Sequence, residues 1–427
     1  MSNTDCCIST ALKEELKSSM GCTEPAAIAF ATAYSKEQLP EESIKKIDVG
    51  LSSNMLKNAL CVTIPNTKMS GIETIVLLGL IKDDCENKFK ILSNITKEDL
   101  DKVQKLKKNV KVNIKLVENV DPLYIEIKLK SKNHDVRTII EEQHDIVKEC
   151  YLDDKLIYSN TRKKNIDKYD GKFDFDDILN YVSNKKYDKE LIEKVKKYNS
   201  EIGEYGLKND VGLNVGTGIS KIDLYRSEYS SIIAKTVSGI DSRMSGASKT
   251  VIINSGSGNQ GITATVPIVE FAKNNNISEE VELSALALSH LVALYIRSKQ
   301  SRLSSACGAI SASAGVAAGI SYMLGCNNKQ IKSAVSSFLC SNFGVFCDGA
   351  KATCALKVSS AVSSAINCAL LAKNGLLLED SYGIVSPSFE NTINNIAKIE
   401  KKLTLSMDKT IMKVAIDNAK NKGGSKC

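Results

Sequence analysis

The chain has 427 residues, 43% of them apolar, which supports two ordinary domains with a substantial core. Its formal charge of +7 is spread through segments such as Lys105-Leu106-Lys107-Lys108 and Lys194-Val195-Lys196-Lys197, whose interleaved apolar residues suit solvated element faces and argue against a nucleic-acid partner. Met1–Lys13 lacks the basic start and apolar run of a secretory signal, so a cytoplasmic setting is expected, and in that reducing environment thirteen cysteines point to metal or catalytic thiols rather than a disulfide framework.

Ile8, Leu12 and Leu16 fall at helical spacing, and Gly21 is a stop signal. A second helix is expected from about Pro25 to Tyr34, with Thr23 as its N-cap. The period then changes to two at Ile47, Val49 and Leu51. Two further alternating runs, Val110 to Leu116 and Leu123 to Leu129, flank Asn119–Pro122 and read as a hairpin with one buried face. Residues 151–235 are polar and Lys/Asp-rich, with helical stretches at Asp176–Lys185 and Leu191–Tyr198. From about residue 236, Ala, Ser and Gly dominate, and residues 303–328, 333–347 and 358–372 carry no charge. The first of these runs has too little Leu, Ile, Phe and Val to favour a membrane, and its small residues suit helices that approach closely. The expected fold is α+β. Residues 1–235 form a mixed domain with an antiparallel sheet, and residues 236–427 form an all-α domain.

Three constellations carry chemistry. In Gly21-Cys22-Thr23-Glu24-Pro25, Cys22 stands at a helix start, where free N–H groups and the helix dipole favour a thiolate. Ser255-Gly256-Ser257-Gly258-Asn259-Gln260-Gly261 is a Gly-rich turn able to present N–H groups to a carboxylate, and it lacks the Gly-Lys-Ser/Thr ending of a nucleotide loop. Cys307, Cys347 and Cys354 place three thiols in the charge-poor half. Three thiolates on a [4Fe–4S] cluster leave one iron open to substrate. On one continuous helix Cys347 and Cys354 would stand about 10.5 Å apart, so Cys347 is expected in the turn before the helix, with Asp348 and Gly349 shaping its start. Zinc would want tight Cys-x₂₋₄-Cys pairs, which are missing here. His290 lies in an apolar helical run and reads as a satisfied core histidine.

At these residues the chain resembles the L-cysteine desulfidase family. The resemblance rests on Gly21-Cys22-Thr23-Glu24-Pro25, Asp241-Ser242-Arg243-Met244, Gly258-Asn259-Gln260-Gly261, Ser305-Ala306-Cys307-Gly308 and Cys347-Asp348-Gly349-Ala350-Lys351, five motifs in family order. The second half is also similar to the alpha domain of iron–sulfur L-serine dehydratases. The desulfidase family usually carries Gly after a Lys-Asn pair; here Lys57-Asn58 is followed by Ala59, which leaves the role of this loop open.

The resemblance implies a lyase without pyridoxal phosphate that uses a [4Fe–4S] cluster to convert L-cysteine to hydrogen sulfide, ammonia and pyruvate. It implies Cys307, Cys347 and Cys354 as ligands and Cys22 as the base at Cα; a rival assignment makes Cys22 a ligand and Cys354 a bystander. Asn259, Gln260 and Lys351 are the expected holders of the substrate carboxylate. Two alternatives stand beside this reading. One is L-serine dehydratase. The other is a non-catalytic iron–sulfur sensor, which would hold its cluster with four cysteines. L-Cysteine is the only partner this reading requires; no membrane enters, and a homo-oligomer stays open.

Overall fold

The structure is a computed structural model that describes residues 2–40, 43–60, 62–65, 67, 69–82, 85–86, 88–160, 169, 171–222, 227–300 and 304–421. Helix α1 (Asn3–Glu15) starts on a capping box between Ser2 and Asp5. The short strand β1 (Ser18–Ser19) leads to α2 (Thr23–Glu37), β2 (Lys46–Leu51), α3 (Ser53–Ala59), α4 (Ile72–Ile81) and α5 (Lys97–Asn109). Strands β3 (Lys111–Leu116), β4 (Tyr124–Lys130), β5 (Asp135–Glu141), β6 (Val147–Leu152) and β7 (Lys155–Ser159) follow.

These strands form a six-stranded sheet in the order β3-β2-β4-β5-β6-β7. Val110 to Leu116 and Leu123 to Leu129 are therefore not hairpin partners, contrary to expectation. Strand β2 lies between them, parallel to β3 and antiparallel to β4, so the sheet is mixed rather than purely antiparallel. Alternation reports a strand's two faces but not its neighbour, and the helices between β2 and β3 supply the crossover that a parallel pair needs. On β4, Ile125, Ile127 and Leu129 are buried beneath α2, which also packs on α4. Edge strand β3 leaves Ile114 and Leu116 exposed.

The remaining elements are α6 (Phe175–Ser183), α7 (Lys189–Lys208), α8 (Val215–Ser220), α9 (Glu228–Met244), β8 (Val251–Ile252), α10 (Gly258–Asn274), α11 (Glu279–Lys299), α12 (Gly308–Met323), α13 (Asn328–Asn342), α14 (Cys354–Lys373) and α15 (Phe389–Asn421). Two apolar cores result. One joins α2, α3 and α4 to the sheet; the other joins α1, α6 and α7 to the helices from α9 onward. The Lys-rich α7 enters this second core through Ile192, Val195 and Ile202, its amphipathic stripe.

The uncharged run forms α12, which is buried and packs against α10, α11, α13 and α14. Among the described residues α11 and α14 have the length and apolarity of a membrane span, and α11 is buried inside the protein. Strand β1 pairs with β8, tying the entry to α2 to the loop before α10.

The strand order sets a measurable pattern of protection. Amides of β2 are bonded on both sides, so they are expected to exchange with deuterium more slowly than those of edge strands β3 and β7. Equal exchange in β2 and β3, measured by peptide mass spectrometry under native conditions, would contradict this order.

Candidate active site

The site forms where several helices begin. Gly21, with φ of +75°, turns the chain from β1 into α2. The N-cap is Cys22, in extended geometry, and Thr23 is already helical. The expected Thr23 cap is thus displaced by one residue, and the Thr23 hydroxyl instead donates to Glu24 Oε2 at 3.1 Å.

Cys22 is 4% exposed. Burial pushes its thiol up to about 11; Arg243 and Lys351 oppose this, while Glu24 and Cys354 add to it. The expected thiolate is therefore a thiol at neutral pH in this state. Desolvation of a charged sulfur outweighs the helix terminus.

Arg243, in the last turn of α9, donates from Nη2 to the Gly21 carbonyl at 2.9 Å and from Nη1 to Asn259 Oδ1 at 3.0 Å. It joins the Cys22 turn to the start of α10, and its buried Nε has no partner among the described residues. Arg243 belongs to the Asp241-Ser242-Arg243-Met244 motif, whose residues the resemblance gives no role. The available signal was an arginine at the end of a helix rich in Ser, Ile and Gly.

The side chain of Asn259 is engaged by Arg243 and by Met244 Sδ. Gln260 is buried, and its Oε1 is unpartnered among the described residues. A methyl group at Gly308 would come within 2.6 Å of Gln260 Nε2, so the starts of α10 and α12 meet there.

Cys307 is the N-cap of α12. Its N–H donates to the Val345 carbonyl at 2.9 Å, and the Cys347 N–H donates to the Ser305 carbonyl at 2.7 Å. An isolated Ala306–Phe346 bridge thus aligns two cysteine-bearing segments forty residues apart in sequence. Cys347 lies in the loop before α14, as its distance from Cys354 predicts, and Cys354 opens that helix. The Lys351 N–H donates to Cys354 Sγ at 3.4 Å.

Burial pushes Cys307 up to about 12, with Cys347 and then Cys354 adding to the shift. Burial also raises Cys354, with Cys347 adding to it. Cys347 and Cys354 thus lie within electrostatic reach of Cys307, and Cys354 within reach of Cys22. All four are free thiols. Lys351 forms no ion pair among the described residues, and its charge acts on Cys22.

Among the described residues no group of three His, Cys, Asp or Glu side chains closes on a single metal ion. One ion would need every sulfur at about 2.3 Å from one point, whereas a cluster spreads its thiolates over separate irons. Three free, mostly buried thiols at loop ends therefore suit a cluster as a donor set.

Two neighbours were missed as site residues. Asn58 donates from Nδ2 to Glu24 Oε1 at 3.0 Å, while its buried Oδ1 is unpartnered among the described residues. Lys57 donates to the Cys347 carbonyl at 3.0 Å.

The Gly-rich turn is held from behind by a buried network. Asn199 clamps the backbone of Ile252 through both amide atoms, at 2.8 and 3.0 Å, and also donates to Thr265 Oγ1. His290 is the satisfied core histidine its sequence setting predicts. Its Nδ1 accepts from Asn254 Nδ2 at 3.0 Å, and its Nε2 lies 2.9 Å from Thr265 Oγ1. The Thr265 proton goes to the Gly261 carbonyl, so the ring carries its own proton on Nε2.

Cys22, Cys307 and Cys354 at helix starts and Cys347 in the loop before α14 define a candidate thiol-ligated centre, with unpartnered buried polar atoms of Arg243, Gln260 and Asn58 on the adjoining segments. The chain belongs to the serine dehydratase alpha chain family, whose model matches residues 86–413. It is similar over nearly its whole length to proteins named UPF0597. The one from Clostridium perfringens is 37% identical over 419 residues, covering 96% of this chain and 98% of the relative. That from Lachnoclostridium phytofermentans is 34% identical, covering 95% and 98%. The Fusobacterium nucleatum protein is also 34% identical, covering 94% and 96%.

Burial holds His290 down at about 3 in the folded protein, against 6.5 ordinarily. The unfolded chain therefore binds a proton that the native state refuses, and stability falls as pH drops from 6.5 towards 3. The expected slope is about 1.4 kcal/mol per pH unit from this group. Denaturant midpoints for wild type and His290→Gln at pH 7 and pH 5 check it; the variant should lose that part of the dependence.

Proposed function

We propose that the protein is an L-cysteine desulfidase, a lyase that eliminates hydrogen sulfide from L-cysteine, with Cys307, Cys347 and Cys354 holding a [4Fe–4S] cluster and Cys22 serving the substrate α-carbon. The observation that supports this reading is the Ala306–Phe346 bridge that aligns the Cys307 and Cys347 segments, with Cys354 opening the next helix within electrostatic reach of Cys22, beside buried polar atoms that have no partner among the described residues. A four-cysteine holder without catalysis would not need Arg243 Nε, Gln260 Oε1 and Asn58 Oδ1 left unpaired in a buried site.

When bound, a cluster with an open iron supplies a Lewis acid suited to a departing sulfur. The chain's own residues do the rest. Arg243 and Lys351 are the cations that take the substrate carboxylate, and Gln260 Oε1 and Asn58 Oδ1 are acceptors for its ammonium group. Cys22 Sγ takes the α-proton as a thiolate, the form that Arg243 and Lys351 favour and burial resists. Loss of the proton from Cα and of HS⁻ from Cβ yields aminoacrylate, which tautomerises and takes up water to give pyruvate and ammonia. Close packing of α10 against α12 limits water on that side of the site.

Serine dehydration is the second reading, favoured by the name of the family whose model matches. The leaving group separates the two. Protein purified without oxygen should contain iron and release sulfide and pyruvate from L-cysteine faster than it releases pyruvate from L-serine. Activity on serine alone would replace the first reading with the second.

Cys22→Ser should keep its iron while turnover falls by about 10²–10⁴-fold. Cys307→Ser, Cys347→Ser and Cys354→Ser should each lose iron. Iron lost from Cys22→Ser but kept in Cys354→Ser would make Cys22 the ligand instead.

A further inference from the structure

A fully buried ion pair lies outside the group of thiols yet touches it. Lys57 on α3 and Asp408 on α15 meet at 2.7 Å, with side chains 0% and 1% exposed. They are 351 residues apart in the chain. Asn54, one turn before Lys57, donates to the other oxygen of Asp408. A surface charge could change its partner, but a buried lysine without its carboxylate would be stranded, so this pair fixes where Nζ points.

Nζ points at the Cys347 carbonyl, 3.0 Å away. The Cys347 N–H is bonded to Ser305 on the opposite side. Both backbone polar groups of this cysteine are therefore tied, which leaves its thiol little more than the rotation about χ1. The loop is held again two residues later. Gly349 has φ of +100°, and a methyl group there would lie 2.6 Å from the Lys57 carbonyl. Only glycine lets the loop rest on α3 in this way.

Helix α3 is itself anchored. Ser52 caps it and donates to the Pro122 carbonyl, next to the start of β4. The support thus runs from the sheet through α3 to the loop, with α15 supplying the counter-charge.

We infer that the Asp408–Lys57 pair is a positioning device for the Cys347 thiol: Asp408 aims Lys57, and Lys57 holds the Cys347 carbonyl. Its relevance to a cluster rests on the ligand role proposed above for Cys347, but the restraint itself belongs to the chain without iron. Neither residue is catalytic. Both act through the backbone of a third.

The test compares two variants of the full chain. Lys57→Met removes the hold on the carbonyl; Asn54→Ala weakens the support of Asp408 but leaves Lys57 in place. Both should lower the thermal midpoint. In iron-free protein below that midpoint, alkylation of Cys347 by iodoacetamide, followed by peptide mass spectrometry with buried Cys150 as reference, should be severalfold faster in Lys57→Met. In Asn54→Ala it should stay at the wild-type rate. Equal acceleration in both variants would make the effect one of general stability and overturn the proposal; so would an unchanged rate in Lys57→Met.

Iron release to a chelator from anaerobically loaded protein gives a separate reading and should also be faster in Lys57→Met. If wild-type protein takes up no iron, the cluster reading fails, and the alkylation contrast still decides the positioning role.

Discussion

The close approach of α12 to α11 is the constraint on which the second half depends. A methyl group at Gly315 would lie 2.1 Å from the Ser289 carbonyl, so the two helix backbones touch at a point where no other residue fits. The neighbouring positions on α12 are Ala and Ser, which lets α10, α13 and α14 also come close. Such contact yields dense van der Waals packing without large side chains, consistent with a protein that has no Trp. It also fixes the start of α12, and with it Cys307.

Once α12 is set, the site follows by short polar links rather than by apolar packing. The Ala306–Phe346 bridge brings Cys347 alongside Cys307. Gly308 abuts Gln260, and Arg243 ties Asn259 to Gly21. Each link is a hydrogen bond or a contact between segments distant in sequence, in surroundings where an unmade bond is costly. Arg243, Gln260 and Asn58 are among the buried side chains that keep an unpartnered polar atom among the described residues.

Parts of this were legible beforehand. Alternation at Ile47, Val49 and Leu51 marks β2, and the uncharged run after residue 303 marks a buried helix, because period and charge are local properties. If Cys347 and Cys354 serve one compact cluster, their spacing disfavours one shared helix, and Cys347 does lie in the loop before α14. Pairing was not legible. Val110 to Leu116 and Leu123 to Leu129 look like a hairpin because they are adjacent, yet β2, whose Lys46 pairs with Lys111, arrives from much earlier in the chain and takes the place between them. The state of Cys22 was misread for a related reason. A helix start can be seen in sequence, but the burial that holds its proton cannot.

What the sequence by itself determined is the set of parts: helix starts bearing cysteines, a Gly-rich turn, alternating strands and a core of small residues. These depend on backbone preference and side-chain size over a few neighbouring residues. Tertiary structure alone decided which parts meet. Arg243 against Gly21, Lys57 against Asp408 and Cys347, and His290 behind the Gly-rich turn are contacts between elements that are apart in sequence, created only when the chain folds. The physical reason is that burial strips water from these charged and polar groups. Each must then find a partner in whatever element the fold has brought beside it.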